Sequence, residues 1–339
     1  MAQQFFQSRG WKRFRANRLS FWSAVIFLSL FALSLFADFL ANDRPLIVYY
    51  KQKIYFPVIQ SLPETTFDGF LKGETDYSLK DIRDEISNHG FYIMPPIPYR
   101  YDSVLSDLKR PAPTPPDSIH WLGTDAAAGD VLSKLIHGFR LSVLFGFTLT
   151  VISSFIGVLA GAAMGYFGGR LDLFGQRFME IWGSMPVLFL LIILSSLIVP
   201  NFWWLLGLLL LFGWMELTGL VRAEVLKVRQ QDYIKAARAM GLSPYRVLLR
   251  HVLPNSLTSV VTFLPFMLAG SVTTLTALDF LGFGLPPGSP SLGVLLQEGK
   301  NNLNAPWLGL TSFFVITLQL SLLTFVGAGL RDALDPRRG

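Results

Sequence analysis

Only an α-helix or a closed β-barrel can cross a bilayer, because lipid offers no partner to a backbone N–H or C=O. About 20 consecutive apolar residues suffice for a helical crossing. This chain of 339 residues holds six stretches near that length: 21–40, 141–167, 178–199, 202–221, 258–278 and 307–330. Their apolar residues run on without alternating, so they read as helices and not as barrel strands. The third and fourth nearly merge, with Pro200–Asn201 the one turn signal between them. The first contains a single acid, Asp38, and exceeds the apolar length of a signal peptide, so an uncleaved anchor is expected. Charged residues are only 15% of the chain against a usual ~25%, which suits a multi-pass membrane protein and not a soluble globule.

Lys and Arg placement sets the expected orientation. Residues 1–20 carry Arg9, Lys12, Arg13, Arg15 and Arg18 and no acid, which puts the N-terminus in the cytoplasm. Six crossings return 165–177, 222–257 and the tail to that side, which then holds 17 of the 29 Lys and Arg residues, Arg331, Arg337 and Arg338 included. The opposite side holds 42–138, where 13 acids outnumber 10 bases. The expected layout is a basic N-terminus (1–20), a first transmembrane helix (21–41), an external segment (42–138), a transmembrane core (139–331) with a cytoplasmic loop (222–257), and a tail (332–339).

The external segment is too polar for lipid and reads as mostly irregular. "PAPTPP" (111–116) predicts an extended polyproline-like strut. "YSLKDIRDEISNHG" predicts a short helix capped by Ser78 and stopped by Gly90. "TDAAAGDVLSKLIHGFR" predicts a helix capped by Asp125 or Thr124, lying along the outer membrane surface.

The loop 222–257 contains "DYIKAARAMGLSPYRVLLRHVLPN", two short helices around a glycine. Asp232 is placed to cap the first, and Gly241 to end it in the left-handed conformation. Ser243 is placed to cap the second, Pro244 sits where a missing N–H costs nothing, and Pro254 should stop it. Tyr245, Leu248, Leu249 and Val252 give it an apolar stripe, with Arg246 and Arg250 on the other side. A loop that merely fixes topology would need no such capping. A DNA-reading helix–turn–helix fails on context, since spans about a dozen residues away on either side hold it off a major groove. A docking surface for a soluble cytoplasmic partner fits better.

The residues themselves resemble a known family. "DYI-x-AARAMG-x-S-x-x-R-x-x-x-RHVLPN" is similar to the EAA loop of permease subunits of ABC importers, in the dipeptide/oligopeptide branch. "WLGTDAAAGDVLSKLIHGFRLSVLFG", "LDFLGFGLPPGSPSLG" and "GAGLRDALDPR" resemble, in order, three further segments of that family. The N-terminal stretch looks most like the microcin C/oligopeptide importer subgroup. The resemblance implies an all-α integral membrane protein with the six-helix type I importer permease fold, in a bacterial inner membrane with both termini cytoplasmic. It implies a second homologous permease, cytoplasmic ATPase subunits that carry ATP and Mg, and a periplasmic peptide-binding protein as partners, with no nucleic acid. Carried over residue by residue, Asp232, Tyr233, Lys235, Ala236, Ala237, Arg238, Gly241, Ser243, Arg246, His251 and Pro254 form the ATPase-coupling set. Lys235 stands where the family usually has Glu, and "AGD" (128–130) lacks the usual arginine.

No enzymatic signature is present. "GVLLQEGKNN" misses the phosphate-loop spacing, and "GSPSLG" is not a nucleophile elbow. The chain has no cysteine, and His89, His120, His137 and His251 are scattered, so no metal site and no bound cofactor are expected. Acids within spans carry a functional hypothesis by default. Glu180 follows Arg177 by three residues and reads as an ion pair. Glu216 either pairs with Arg222 or lines a polar path. Asp279 and Thr273, Thr274 and Thr276 are pathway candidates, though hydroxyls also bond across helices. A proton-coupled secondary transporter using Glu216 and Asp279 is the rival reading, against which stands the absence of an internal repeat.

Overall fold

The computed structural model describes residues 9–69, 72–106, 108, 110–195, 197–198 and 200–334. Arg337 and Arg338 of the expected tail lie outside the described residues. The chain forms two compact units: residues 1–28, 143–286 and 317–339, and residues 29–142 and 287–316.

Among the described residues, five helices are long and apolar enough to cross a membrane: Arg18–Leu35 (α2), Val131–Phe167 (α5), Phe202–Arg229 (α8), Pro244–Phe280 and Pro306–Leu334 (α13). A broken pair, Gly169–Gly183 (α6) and Val187–Ser195 (α7), bent by 61°, together has the length and composition of a sixth crossing or of a re-entrant loop. The uninterrupted third span expected from sequence is thus divided. Pro186 is the reason: it has no N–H to donate and disfavours helical backbone at Met185, so the chain stops and restarts there. Asn201 acts as the expected turn, its Oδ1 accepting the Trp204 N–H at 2.9 Å to cap α8.

In the first unit, α5 and α8 meet along a seam of small residues. A Cβ on Gly157, Gly161 or Gly165 would lie 2.7, 2.6 or 2.8 Å from the carbonyl oxygens of Trp214, Thr218 and Arg222 respectively. Both series step by four, so three successive turns of one backbone rest on three turns of the other. Leu217, Val221 and Val225 continue this seam into a core with Val260 and Met267. A second core joins Phe145, Leu191, Leu205, Leu275 and Leu278. Arg222 forms a two-pronged pair with Asp172 of α6 (2.5 and 2.7 Å) and is therefore not the partner of Glu216. Arg177 and Glu180 pair at 2.5 Å, as expected.

In the second unit, the segment 42–138 contains a three-stranded antiparallel sheet: Ile47–Tyr50 (β1) lies between Lys53–Tyr55 (β2) and Gly90–Ile93 (β3). Val48 and Tyr50 point into a core with Phe67, Tyr77, Ile82 and Ile86, the last two from helix Lys80–His89 (α4). Ser78 does not cap α4. Leu79 occupies the cap position and no side chain caps the helix; one residue earlier, Asp76 Oδ1 accepts the Ser78 N–H at 2.8 Å. Gly90 does end the helix, passing straight into β3. The 111–116 stretch bends over its first three residues and then runs irregularly, with the Thr114 N–H held by Thr124 Oγ1 at 2.8 Å.

The amphipathic stretch before the second span is not a separate surface helix. Residues 124–130 form a turn, in which Asp125 Oδ1 accepts the Ala127 and Gly129 N–H groups at 2.9 and 2.7 Å. Asp125 is thereby spent within the turn, and Asp130 caps α5 instead, accepting the Ser133 N–H at 2.8 Å. Asp130 also holds His120 at 3.0 Å, and Asp125 holds Lys134. Ser291, in "GSPSLG", caps the short helix Leu292–Asn301 (α12), taking the Gly293 and Val294 N–H groups at 3.1 and 3.3 Å. Glu298 of α12 accepts the Ala126 N–H at 3.3 Å. Burial and the neighbouring charge of Asp125 push its carboxyl up, against the opposing pull of Lys134.

Candidate functional site

The helix pair of the loop 222–257 forms within the first unit. Its first helix, Asp232–Ala239 (α9), has eight residues, too few to persist alone in water. Ile234 and Ala237 are its buried residues, set in the core that contains Ala162, Tyr166, Val221 and Val225. Arg238 adds a guanidinium 4.8 Å above the Tyr166 ring. Tyr233 accepts a hydrogen bond from Asn255 Nδ2 at 3.0 Å. Asp232 is not the cap: Gln231 holds that position, while the Asp232 carboxylate pairs with Lys235 Nζ at 3.0 Å. An acid in the first turn still favours the helix dipole.

Gly241 ends α9 as expected. It adopts φ +81° with no atom near its missing side chain, and the Leu242 N–H reaches back to Ala237 O (3.3 Å) while the Gly241 N–H bonds Arg238 O (2.9 Å). This is a Schellman closure. The second helix begins with Pro244–Val247 (α10) and Ser243 in the cap position, but the Ser243 hydroxyl makes no cap bond; its carbonyl takes the Val247 N–H at 3.0 Å instead.

Pro254 does not stop this helix. Residues Leu248–Val252 form a π turn, in which the Leu253 N–H bonds Leu248 O, and the chain continues as Leu253–Phe280 (α11). Proline deprives the carbonyl four residues upstream of its donor and crowds it. A single widened turn absorbs both effects. The extra residue also changes which face is buried. Val247, Leu248 and Val252 are inside, whereas Tyr245 and Leu249, expected in the stripe, are 69% and 61% exposed. Arg246 and Arg250 are exposed, and His251 and Pro254 are half-buried.

The outer surface of the pair therefore shows Asp232, Lys235, Ala236, Met240, Gly241, Tyr245, Arg246 and Leu249. Small residues, a methionine, an aromatic and flanking charges on a rigidly seated platform suit a protein partner. The pathway candidates are dispersed by comparison. Glu216 is exposed on α8 with no ion-pair partner among the described residues. Thr273 and Thr274 are exposed on α11 and bond their own helix at Ala269 O and Gly270 O (2.8 and 2.9 Å). Thr276 is buried and bonds Val272 O at 2.9 Å. Asp279 is 2% exposed, and its Oδ1 takes the Leu285 N–H at 2.7 Å, which fixes the glycine- and proline-rich turn after the fifth span.

Sequence reasoning missed Asp172, whose pairing with Arg222 ties α6 to α8. An acid six residues before the third apolar stretch, with an arginine just after the fourth, was the available signal. It also missed the pairing of Asp38 with Arg140 (2.6 Å) in the second unit.

A bundle of this kind, with an amphipathic helix pair docked under it by a buried isoleucine and closed by a left-handed glycine, has the architecture of a transport permease. The chain belongs to the family of binding-protein-dependent transport system inner membrane components, which residues 157–339 match, and residues 6–57 match the N-terminal transmembrane domain of oligopeptide transport permease C. It is a multi-pass inner-membrane permease subunit of the ABC transporter class. Among individual relatives, the inner membrane ABC transporter permease protein YejE of Escherichia coli (strain K12) is 53% identical over 97% of this chain and 96% of its own. The peptidoglycan transport system permease protein YejE of Agrobacterium fabrum is 51% identical over 97% and 93%. The oligopeptide transport system permease protein OppC of Mycobacterium tuberculosis (strain ATCC 25618 / H37Rv) is 36% identical over 72% and 84%.

Proposed function

We propose that this subunit forms half of the pathway of a peptide importer, with both termini cytoplasmic. A homologous second permease completes the pathway, and a periplasmic binding protein delivers peptides or peptide-bearing fragments. The chain itself hydrolyses nothing. Cytoplasmic ATPase subunits, which carry ATP and Mg, dock on 232–254, and their closure rocks the helix pair as a rigid body between two arrangements of the spans. The observation that carries this reading is the seating of α9: a helix too short to stand alone is anchored through Ile234 and leaves Met240, Tyr245 and Leu249 outward. The relatives' names support the peptide class, and the basic, acid-poor N-terminus supports the orientation. Family membership favours this reading over proton coupling through Glu216 and Asp279.

Gly241 supplies the test. Val at φ +81° is strongly strained, whereas Asn tolerates that region, and neither meets a steric obstacle. Gly241→Val should abolish ATP-dependent peptide uptake and co-purification of the ATPase while membrane insertion persists, and Gly241→Asn should retain both. Uptake by Gly241→Val at the level of the unaltered protein would refute the assignment.

A further inference from the structure

The first twenty residues carry five bases and no acid, and none of them belongs to the proposed coupling set or to the pathway candidates. Arg9–Ala16 (α1) is a short helix joined to α2 by Asn17. The join is tight: the Phe21 N–H bonds Asn17 O at 3.0 Å and the Ser20 N–H bonds Asn17 Oδ1 at 3.3 Å. One side of this hook is packed. Phe14 and Ser20 are 6% and 2% exposed and lie against Gly329 of α13, where a Cβ would collide with the Ser20 side chain and stand 3.3 Å from Phe14. Trp11 stacks on Phe14 at 5.9 Å and meets the edge of Phe21 at 6.4 Å, and the Arg15 guanidinium lies 5.7 Å over the Phe21 ring.

The other side is open. Lys12, Arg15 and Arg18 are exposed, and so are Leu19 and Trp22 at the start of the span. Tryptophan at a span end marks the boundary between headgroups and acyl chains. Covalent continuity with a membrane-crossing helix thus holds the three cations at headgroup level, with aliphatic and aromatic surface directly beneath them. Negative headgroups are the complementary charge at that depth, worth about 1 kcal/mol per base, or roughly fivefold in affinity.

We propose that Lys12, Arg15 and Arg18 bind the phosphate headgroup of anionic phospholipid and so clamp α1 against the end of α13. The site rests on α2 crossing the membrane and not on which side its N-terminus lies.

The test uses the full-length chain, with whatever subunits accompany it, in nanodiscs of phosphatidylcholine and phosphatidylglycerol with bromine on the acyl chains of one or the other. Quenching assigned to Trp11, taken as the difference from Trp11→Phe, should be roughly twofold stronger with brominated phosphatidylglycerol. The variant Lys12→Gln/Arg15→Gln/Arg18→Gln should lose that preference, and each single substitution should weaken it about fivefold in the phosphatidylglycerol titration. Arg9 and Arg13 remain to preserve the topology signal, and the single variants carry the test if the triple one does not insert. Equal quenching by the two lipids in the unaltered protein, or an undiminished preference in the variants, overturns the site. Nanodiscs expose both faces, so a reversed topology, read separately by labelling the N-terminus, cannot mimic that failure.

Discussion

Replacing Ile234 by alanine should detach α9, the proposed coupling helix, while leaving the spans intact. Ile234 is fully buried, and Ala237 is the other buried residue of α9. Truncating a buried isoleucine costs about 2–5 kcal/mol, more where the walls cannot collapse. Here the walls include Val221 and Val225, which belong to a membrane-crossing helix locked at the glycine seam, so a value near ~3 kcal/mol is expected. A helix of eight residues has no stability of its own to offset that loss. The whole cost therefore falls on the docked-to-undocked equilibrium of α9, raising its open population about 100-fold. Amide hydrogen exchange measures this directly. The Met240, Gly241 and Leu242 amides, bonded to Ala236, Arg238 and Ala237, should exchange about 100-fold faster, with the amides of α8 unchanged. Peptide uptake by the assembled transporter should fall in step. Exchange within about threefold of the unaltered protein would refute the argument, because α9 would then be held by something other than its buried side chains.

Gly161→Leu would drive a side chain into a gap where a Cβ already lies 2.6 Å from Thr218 O; overpacking of about 1–3 kcal/mol should lower the detergent melting temperature by several degrees and impair assembly. Glu298 binds a proton more readily folded than unfolded, since burial and Asp125 raise its carboxyl, so its contribution is best below the ordinary glutamate range and declines as pH rises from there through the raised value. Glu298→Gln should flatten that decline in melting curves taken from about pH 4 to 8, and an unchanged slope would assign the pH dependence elsewhere.

The crossings were legible because lipid imposes one strong rule, a long apolar run, and the runs are long. Ends and breaks were less legible. Pro186 sits inside a run apolar enough to hide it, and only the fold shows the chain bending there. The spacing points to Asp125 or Thr124 as the cap, because helix formers run on from Ala126; Asp125 is instead consumed by its own turn, the helix starts later, and Asp130 caps it. The strand "IVYY" carries no alternation because its pairing partners, not its pattern, decide which residues face the small core of the segment 42–138. In the loop 222–257 the glycine turn was readable, since a left-handed residue has few alternatives. The buried stripe was not, because an ordinary helical period places Tyr245 inside and the π turn places Val247 there.

That π turn has a mechanical consequence in the proposed coupling. By removing the donor to Arg250 O, Pro254 forces one widened turn, yet the helix stays continuous from Pro244 to Phe280. Tyr245 and Leu249, which face outward for docking, thus ride on the same rigid element as the fifth span, up to Pro265, where a second donor is missing. A push on the docking surface is carried into the membrane without a loop to absorb it. The extra residue also sets the aim of that surface, since one residue of register is about 100° around a helix. Pro254→Ala should let the helix regularise, restoring a hydrogen bond worth about 1 kcal/mol while rotating Tyr245 and Leu249 away from their present direction. Melting temperature should hold or rise, and ATP-dependent uptake should drop. Stability and uptake that both stay unchanged would mean that the π turn survives without its proline, and that the aim of the docking surface is fixed by the packing of Val247 and Val252 instead.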